Sequence, residues 1–240
     1  MKAPAIHIRG CHEIAGNTLF APIDLTLPAG QWTCVLGRSG VGKSTLLRLI
    51  AGLETAGRFN GEIVASDGQM LTERISFMAQ SDLLLPWLTV LENVVLGARL
   101  RGAKPDIARA KNLIDRVGLT EYRDEKPAAL SGGMRQRTAL ARTLMEDRDI
   151  ALLDEPFSAL DAATRADVQD LSAHVLAGKT VLLVTHDPAE AVRLGHQIIV
   201  LTALGAQLWQ LPVTPPLRDL FSPAASACQE ALLKHLRGLK

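Results

Sequence analysis

The sequence has few of the features that define several common protein classes. Only three of its 240 residues are cysteine, and Cys11, Cys34 and Cys228 lie too far apart for a metal-binding spacing. Their odd number and wide separation also argue against a disulfide framework, which agrees with a reducing compartment. The net charge is +1 at pH 7, so the chain lacks the basic excess that is typical of nucleic-acid-binding proteins.

Long apolar segments are missing as well. The opening residues MKAPAIHIRG contain no apolar core of signal-peptide length. Residues 194–217 contain no Asp, Glu, Lys or Arg, but they include three prolines, three glutamines and two glycines. A helix that crosses a bilayer needs about 20 mostly apolar residues, so this composition favours short strands joined by turns. We therefore expect a chain that does not cross the membrane by itself.

Three regions of different periodicity give the predicted layout. Strand patterns fill the first sixty residues, and helical patterns dominate from about 88 to 146. Helices are predicted at 90–100, 105–117 and 134–146, with Pro105 in the first turn of the second. Strands then alternate with helices. The runs IALL (150–153) and VLLV (181–184) are continuously apolar, as in a parallel sheet covered on both faces. We predict one α/β domain over 1–240, with a core at about 1–81 and 147–220, an inserted helical subdomain at about 82–146 and a C-terminal helix at about 224–238.

A glycine-rich motif separates a predicted strand from a predicted helix. GRSGVGKST at 37–45 fits the pattern G-x-x-x-x-G-K-[ST], in which backbone N–H groups and the helix N-terminus surround phosphate. Lys43 is expected to reach the β- and γ-phosphates, and the Ser44 hydroxyl to ligate Mg²⁺. A glycine-rich turn with a surface lysine is the alternative. The predicted nucleotide-binding residues of this loop are Gly37, Arg38, Ser39, Gly40, Val41, Gly42, Lys43, Ser44 and Thr45.

Two acidic residues follow the apolar strand in IALLDEP (150–156). A carboxylate at the C-terminal end of such a strand lies where α/β sheets bind ligands. We predict that Asp154 holds Mg²⁺ through water, and that Glu155 is the general base that activates the attacking water. The alternative is a strand followed by an acid that only caps a helix.

Two more polar residues follow predicted strands. His186, in VTHD, follows the second apolar strand and is expected to contact the γ-phosphate and the water that Glu155 activates. Gln80 follows the strand ISFM, and its amide is expected to sense Mg²⁺ and the water where the core meets the helical insertion. A structural histidine and a solvated loop glutamine are the respective alternatives.

Together these motifs resemble the ATP-binding subunits of ABC transporters, and the match covers nearly the whole chain. The motifs stand in the family's order: the phosphate loop, Gln80, LSGGM at 130–134, LLDEP at 152–156, SALD at 158–161 and His186. LSGG is the most specific of them, because kinases and GTPases with the same phosphate loop lack it. The resemblance implies a RecA-like P-loop core, an N-terminal antiparallel β part and an inserted helical subdomain that carries LSGG.

The resemblance also implies how the two phosphate-binding motifs work together. Two copies of the chain would pack head to tail, with each ATP between the phosphate loop of one copy and the LSGG of the other. Ser131, Gly132 and Gly133 would then contact the γ-phosphate that the partner copy holds. Residues 158–161 would lie along the dimer seam. The implied cofactors are ATP and Mg²⁺.

Met134 and the segment LLLPWLTVLENV (83–94) resemble importers of the nitrate, sulfonate and taurine group, which includes thiamine-precursor importers. This implies a peripheral subunit at the cytoplasmic face of the cell membrane, with separate permease subunits that dock near residues 80–87. A periplasmic or extracellular substrate-binding protein would complete the complex. Trp87 either contributes to the docking groove or packs in the core.

The sequence departs from the family at the adenine. Family members usually stack the base on an aromatic residue shortly before the phosphate-loop strand, and residues 12–14 contain only His12 as a weak substitute. Phe20 is a second, poorer substitute, so base selectivity is expected to be low.

The leading interpretation is an ATP-hydrolysing, energy-coupling subunit of an ABC importer. The alternative is a soluble ABC-type ATPase that acts on nucleic acid or ribosomes, but the chain has one cassette, no heptad run and no basic tract. We therefore expect no nucleic-acid partner. A third interpretation, a nucleotide-gated module without catalysis, conflicts with the presence of Glu155 and His186. No residue identifies the cargo.

Overall fold

The computed structural model of the protein describes residues 3–239. Contacts divide the chain into two units. The first comprises Met1–Ile75, Asp149–Asp154 and Ala177–Lys240, and the second comprises Ser76–Arg148 and Glu155–Leu176. The second unit therefore contains, besides the helical segment predicted at 82–146, the residues that follow Asp154.

An antiparallel sheet occupies the N-terminal part of the first unit. Its strands are β1 (Ile6–Ile14), β2 (Asn17–Leu27) and β4 (Arg58–Ala65), in the order β2-β1-β4. Ile6 and Ile8 are fully buried while the alternate residues of β1 face outward, which is the period of two that one covered face requires. Ala15 and Gly16 join β1 to β2, and both have positive φ (50° and 80°), as a two-residue hairpin turn demands.

The first unit also contains strands of a mostly parallel sheet: β3 (Trp32–Leu36), β6 (Ile150–Asp154), β7 (Thr180–Val184), β8 (Gln197–Thr202) and β9 (Gly205–Trp209). Their order in the sheet is β6-β7-β3-β8-β9. Every residue of β3, β6 and β7 is buried, so the prediction from the continuous apolar runs of β6 and β7 is confirmed. Only β9 runs antiparallel to its neighbour.

Three helices accompany these strands: α1 (Lys43–Ile50), α7 (Pro188–Leu194) and α8 (Pro223–Gly238). Strands β8 and β9 lie within residues 194–217, which confirms that this charge-free segment forms short strands and turns. In the described range 3–239, no helix is both long enough and apolar enough to cross a bilayer.

The second unit is helical. After β5 (Ile75–Met78), its helices are α2 (Val90–Val94), α3 (Leu96–Leu100), α4 (Ile107–Arg116), α5 (Gly132–Met145) and α6 (Ala162–Val175). Side-chain caps set several starts, because they satisfy backbone N–H groups that have no partner inside the helix. Thr89 and Glu92 form a capping box at α2, and Asp161 accepts from Thr164 N at α6.

Two predicted helix boundaries in this unit were wrong. The predicted helix over residues 90–100 is interrupted at Val95, whose backbone (φ −92°, ψ 5°) departs from helical geometry, so α2 and α3 are separate. Pro105 does not occupy the first turn of α4, because the Asp106 side chain caps that helix by accepting from Arg109 N. Capping by Asp106 therefore determines the helix start more closely than the proline does.

Candidate nucleotide-binding and catalytic site

The carboxyl ends of three neighbouring parallel strands meet at one edge of the first unit. Val35 of β3 pairs with Val184 of β7, and Val184 pairs with Asp154 at the end of β6. The phosphate loop follows β3 directly, and His186 follows β7. The structure therefore brings the predicted phosphate loop, Asp154 and His186 to the same edge, which is where parallel sheets bind ligands.

Two glycines of the phosphate loop are required by close contacts. A Cβ on Gly37 (φ 154°) would lie 2.3 Å from the carbonyl oxygen of Leu201, and one on Gly42 (φ 101°) would lie 2.9 Å from the ring of Phe20. Any larger residue at either position would push the loop away from its supports. Gly42 also occupies the N-cap of α1, so the loop leads directly into the start of a helix, where backbone N–H groups have no partner inside the helix.

Lys43 is folded back onto the loop. Its Nζ donates to the carbonyl oxygens of Gly37 and Arg38, at 2.9 Å each, and the side chain is only 8% exposed. The ammonium is thus held among the loop's backbone groups. Ser44 is exposed on the first turn of α1, and Arg38 donates from Nη1 to the carbonyl oxygen of Leu239, 3.0 Å away.

The predicted adenine contacts at His12 and Phe20 were wrong. Both residues are fully buried, and their rings stack on each other with centroids 5.8 Å apart. The Nε2 of His12 donates to the carbonyl oxygen of Ala56 at 2.7 Å. Neither ring has a face available to a base, because both fill the interior of the β1–β2 hairpin region.

Aliphatic side chains line the cavity next to the phosphate loop instead. This cavity has a volume of about 280 Å³ and is lined by Ile14, Leu19, Gly40, Gly42, Lys43, Ser44 and Thr45. Ile14 ends β1 and Leu19 lies in β2, and both are half-buried. Neither residue is aromatic, so the family pattern did not point to them, although Ile14 lies within 12–14, where the aromatic residue was expected.

Asp154 and His186 have different environments. Asp154 is 5% exposed at the buried end of β6, whereas His186 is on the surface. The hydroxyl of Thr185 donates to Oε2 of the buried Glu190 at 2.6 Å and accepts from the backbone N–H of Asp187 at 3.0 Å. The residues on either side of His186 are therefore fixed, so the turn that carries its side chain is held in place.

In the second unit, the structure brings Gln80 and Glu155 together. Nε2 of Gln80 donates to Oε2 of Glu155 at 3.4 Å. The carbonyl oxygen of Glu155 accepts from Nε2 of Gln136 at 2.8 Å and from the hydroxyl of Ser158 at 3.0 Å. Gln136 could not be recognised from the sequence, because its position in the first turns of a helix gave no sign of its contacts with residues 155–159.

The signature segment forms the start of α5. The helix begins at Gly132, two residues earlier than predicted, and Oγ of Ser131 caps it by accepting from Met134 N at 3.3 Å. Ser131 and Gly132 are exposed, and a Cβ on Gly133 would lie 3.0 Å from the carbonyl oxygen of Ala159. The second unit thus presents a capped helix start to solvent, which is a favourable place for an anion.

The loop between Gln80 and α2 is held from both sides. Arg142 donates to the carbonyl oxygens of Asp82 and Leu83, and the Asn93 amide donates to three carbonyl oxygens at 85–89. Burial lowers the pKa of the Arg142 guanidinium from its ordinary value. Trp87 projects from this loop with 65% of its surface exposed, so the interpretation of Trp87 as core packing was wrong.

Comparison with known proteins identifies the family. A family model described as "ABC transporter" matches residues 20–158, more than half of the chain. An uncharacterised ABC transporter ATP-binding protein of Haemophilus influenzae is 46% identical over 232 residues, which cover 93% of this chain and 94% of that protein. The chain belongs to the ABC transporter family.

Import proteins are among the relatives of this ABC transporter chain. The aliphatic sulfonates import ATP-binding protein SsuB of Escherichia coli (strain K12) is 47% identical over 191 residues, or 78% of this chain and 72% of that protein. The SsuB of Rhodopseudomonas palustris (strain ATCC BAA-98 / CGA009) is 43% identical over 240 residues, or 98% of this chain and 84% of that protein.

A solved structure agrees with the sequence relatives. The dimeric ATP-binding cassette MJ0796, in a post-hydrolysis state with ADP and Pi, matches with a TM-score of 0.72 and 30% identity over 89% of this chain and 99% of that chain. The predicted fold class of an ABC ATPase is confirmed. The chain is an ATP-hydrolysing, energy-coupling subunit of an ABC importer. The alternative of a soluble ATPase acting on nucleic acid or ribosomes finds no support among these proteins.

Proposed function

We propose that two copies of this chain pack head to tail around two ATP molecules and drive separate permease subunits that import an aliphatic sulfonate. The observation that carries the dimer is that the two phosphate-binding elements belong to different units. The loop at 37–45 lies in the first unit, and the exposed helix start at Ser131 lies in the second. Each copy supplies one element to each ATP, as the dimeric relative with ADP and Pi supports.

The phosphate loop binds the triphosphate. Its backbone N–H groups surround the phosphate oxygens, and Lys43 turns from the carbonyl oxygens of Gly37 and Arg38 to the β- and γ-phosphates. Ser131, Gly132 and Gly133 of the partner copy contact the γ-phosphate from the opposite side. The second element needs no lysine, since the loop that faces it already provides Lys43.

The residues proposed for Mg²⁺ fit that ion. The Ser44 hydroxyl, the Asp154 carboxylate and the Gln80 amide all offer oxygen, which Mg²⁺ prefers over nitrogen or sulfur, and Asp154 is anionic. Few protein ligands suffice, because bound Mg²⁺ retains several waters and binds phosphate oxygens. When bound, the ion neutralises charge on the β- and γ-phosphates.

The chemical step is assigned to Glu155 and His186. Glu155 accepts a proton from the attacking water, and Gln80 orients the carboxylate through its hydrogen bond to Oε2. His186 contacts the γ-phosphate from the turn that Thr185 and Asp187 hold in place. Asp161 caps α6 within the segment assigned to the dimer seam, and its hydrogen bond from Thr164 N–H lowers the pKa of its carboxyl.

The permease is proposed to dock on the loop that presents Leu83 and Trp87, which are 63% and 65% exposed. This loop follows Gln80 directly and is fixed by Arg142 and Asn93, so a force on it reaches the residue that contacts Glu155. The subunit then works at the cytoplasmic membrane face, in a complex with a periplasmic or extracellular substrate-binding protein. The sulfonate assignment is supported by the import proteins that are 43–47% identical to this chain over the aligned residues.

Deletion of the gene tests the proposed substrate. Cells without this chain are expected to lose growth on an alkanesulfonate as the only sulfur source, while growth on sulfate stays normal. The wild-type chain should restore growth and Lys43→Ala should not, because the phosphates lose their ammonium contact. Uptake of a labelled alkanesulfonate is the direct measurement. Unchanged uptake in the deletion strain contradicts the sulfonate assignment.

Base recognition gives a second test in the first unit. If Ile14 and Leu19 hold the base by aliphatic contact alone, Ile14→Tyr should tighten ATP binding by about fivefold or more, because base–aromatic stacking is favourable. Binding of tripolyphosphate should not change, since it has no base. Competition against a fluorescent nucleotide measures both. An equal change for ATP and tripolyphosphate would show that Ile14 does not lie beside the base.

A further inference from the structure

A buried glutamine joins the signature helix to the catalytic segment inside the second unit. Gln136 lies in α5 and is 7% exposed. Its Nε2 donates to the carbonyl oxygen of Glu155 at 2.8 Å and to the hydroxyl oxygen of Ser158 at 3.1 Å. Its Oε1 accepts from the backbone N–H of Ala159 at 2.7 Å. One amide side chain therefore contacts three residues of the segment after Asp154.

These contacts fix a backbone conformation that Glu155 does not adopt readily. Glu155 has φ 49°, in the left-handed region that non-glycine residues disfavour. Its carbonyl oxygen accepts from Gln136, from the Ser158 hydroxyl and from the Ser158 backbone N–H. Such a conformation persists only where surrounding contacts hold it. Two of the three donors involve Gln136: its own amide, and the Ser158 hydroxyl, which accepts a hydrogen bond from that amide.

The chemistry of the side chain is specific to glutamine. The amide donates through nitrogen and accepts through oxygen at the same time, which neither a carboxylate nor an apolar side chain does. The three partners fix which atom is which, because carbonyl oxygens only accept and backbone N–H groups only donate. The start of the same helix is also close to this segment, since a Cβ on Gly133 would lie 3.0 Å from the carbonyl oxygen of Ala159.

We propose that Gln136 is a positioning residue for ATP hydrolysis. Through its hydrogen bonds to the Glu155 carbonyl and residues 158–159, it fixes the position of the Glu155 carboxylate relative to the helix start at Ser131. This proposal rests on the proposed role of Glu155 as the base. When the partner's γ-phosphate fixes the position of the start of α5, the hydrogen bonds of Gln136 also fix the positions of Glu155 and of residues 158–159 at the dimer seam. A chain whose signature contacts no γ-phosphate then holds its Glu155 carboxylate less accurately.

Two substitutions at Gln136 test the proposal by ATPase kinetics. Gln136→Met keeps the length of the side chain and removes all three hydrogen bonds, and Gln136→Glu keeps only the acceptor for Ala159 N–H. Gln136→Met is expected to lower kcat by about ten- to a hundredfold, as small displacements of catalytic groups do. KM should change less than about twofold, because no substrate contact is lost. Gln136→Glu should lower kcat at least as far.

Thr138→Val is the matched control on the same helix. Thr138 is fully buried, and its hydroxyl donates only to the Met134 carbonyl oxygen within α5, so kcat should stay near the wild-type value. Ser158→Ala is a second test variant, at an exposed position, in case the Gln136 variants fold poorly. It removes one donor to the Glu155 carbonyl oxygen and should lower kcat by a smaller factor than Gln136→Met.

The decisive readout is non-additivity with Glu155→Gln in single-turnover hydrolysis. If Gln136 acts through Glu155, adding Gln136→Met to Glu155→Gln should slow hydrolysis by less than about twofold more. A folded Gln136→Met protein with wild-type kcat, or a full multiplicative loss in the double variant, overturns the proposal. Wild-type turnover in Glu155→Gln alone instead overturns the assignment of the base, so the two failures are distinguishable.

Discussion

Glu155→Gln is expected to lower kcat for ATP hydrolysis by about 10²- to 10⁴-fold, which is the usual contribution of a general base. The substitution keeps the shape of the side chain, so the contact with Gln80 and the backbone bonds from Gln136 and Ser158 should remain. ATP affinity should stay close to wild type, because the phosphates are bound elsewhere, by the loop at 37–45. The loss should therefore appear in kcat and not in nucleotide binding.

Steady-state hydrolysis by the purified chain with its permease, together with ATP titration of the isolated chain, measures both quantities. Glu121→Gln is the matched control, since it makes the same chemical change at an exposed carboxylate of the second unit. It should leave kcat unchanged. Near-wild-type hydrolysis by Glu155→Gln would refute the assignment of this residue as the base.

Ser131→Arg is expected to abolish ATP-dependent dimerisation while ATP binding to the monomer stays intact. The side chain is exposed at the start of α5, so arginine places bulk where the partner's γ-phosphate is proposed to lie. The substitution also removes the cap on Met134 N, a loss of about 1 kcal/mol. Ser131→Ala separates the two effects, because it removes the cap without the bulk, and it should still dimerise.

The sequence predicted the core of the first unit because the signals there are local. Continuous apolar runs predicted buried strands β6 and β7, and the phosphate loop stands between a strand and a helix as its pattern requires. Parallel strands end at a common edge, so the order of the motifs was enough to place Asp154 and His186 near the loop. The roles of these residues stay predictions.

Contacts between distant segments were not predictable in the same way. His12 is an isolated polar residue in the sequence, and its burial depends on Phe20 and on the carbonyl of Ala56, 44 residues away. Gln136 likewise reaches Glu155, which is 19 residues further along the chain. Helix starts were misplaced where a side-chain cap decided them, as at Asp106 and Ser131. Each of these depends on packing that no short pattern encodes.

Each ATP site is proposed to combine the phosphate loop of one copy with the signature of the other. This arrangement is tested by mixing two variants, Lys43→Ala and Ser131→Arg, each in a Glu155→Gln background that slows turnover. Neither variant alone forms a complete ATP site. In a mixed dimer, however, the intact loop of one chain faces the intact signature of the other. The Glu155→Gln chain with both elements intact is the positive control.

The measurement is the molar mass of the ATP-bound species by size-exclusion chromatography with light scattering. We expect monomers for each variant alone, a dimer for the Glu155→Gln control and partial recovery of dimer in the mixture. Dimerisation of the Ser131→Arg variant alone, to the same extent as the control, would contradict the shared ATP site, because a contact with the partner's γ-phosphate does not survive that substitution.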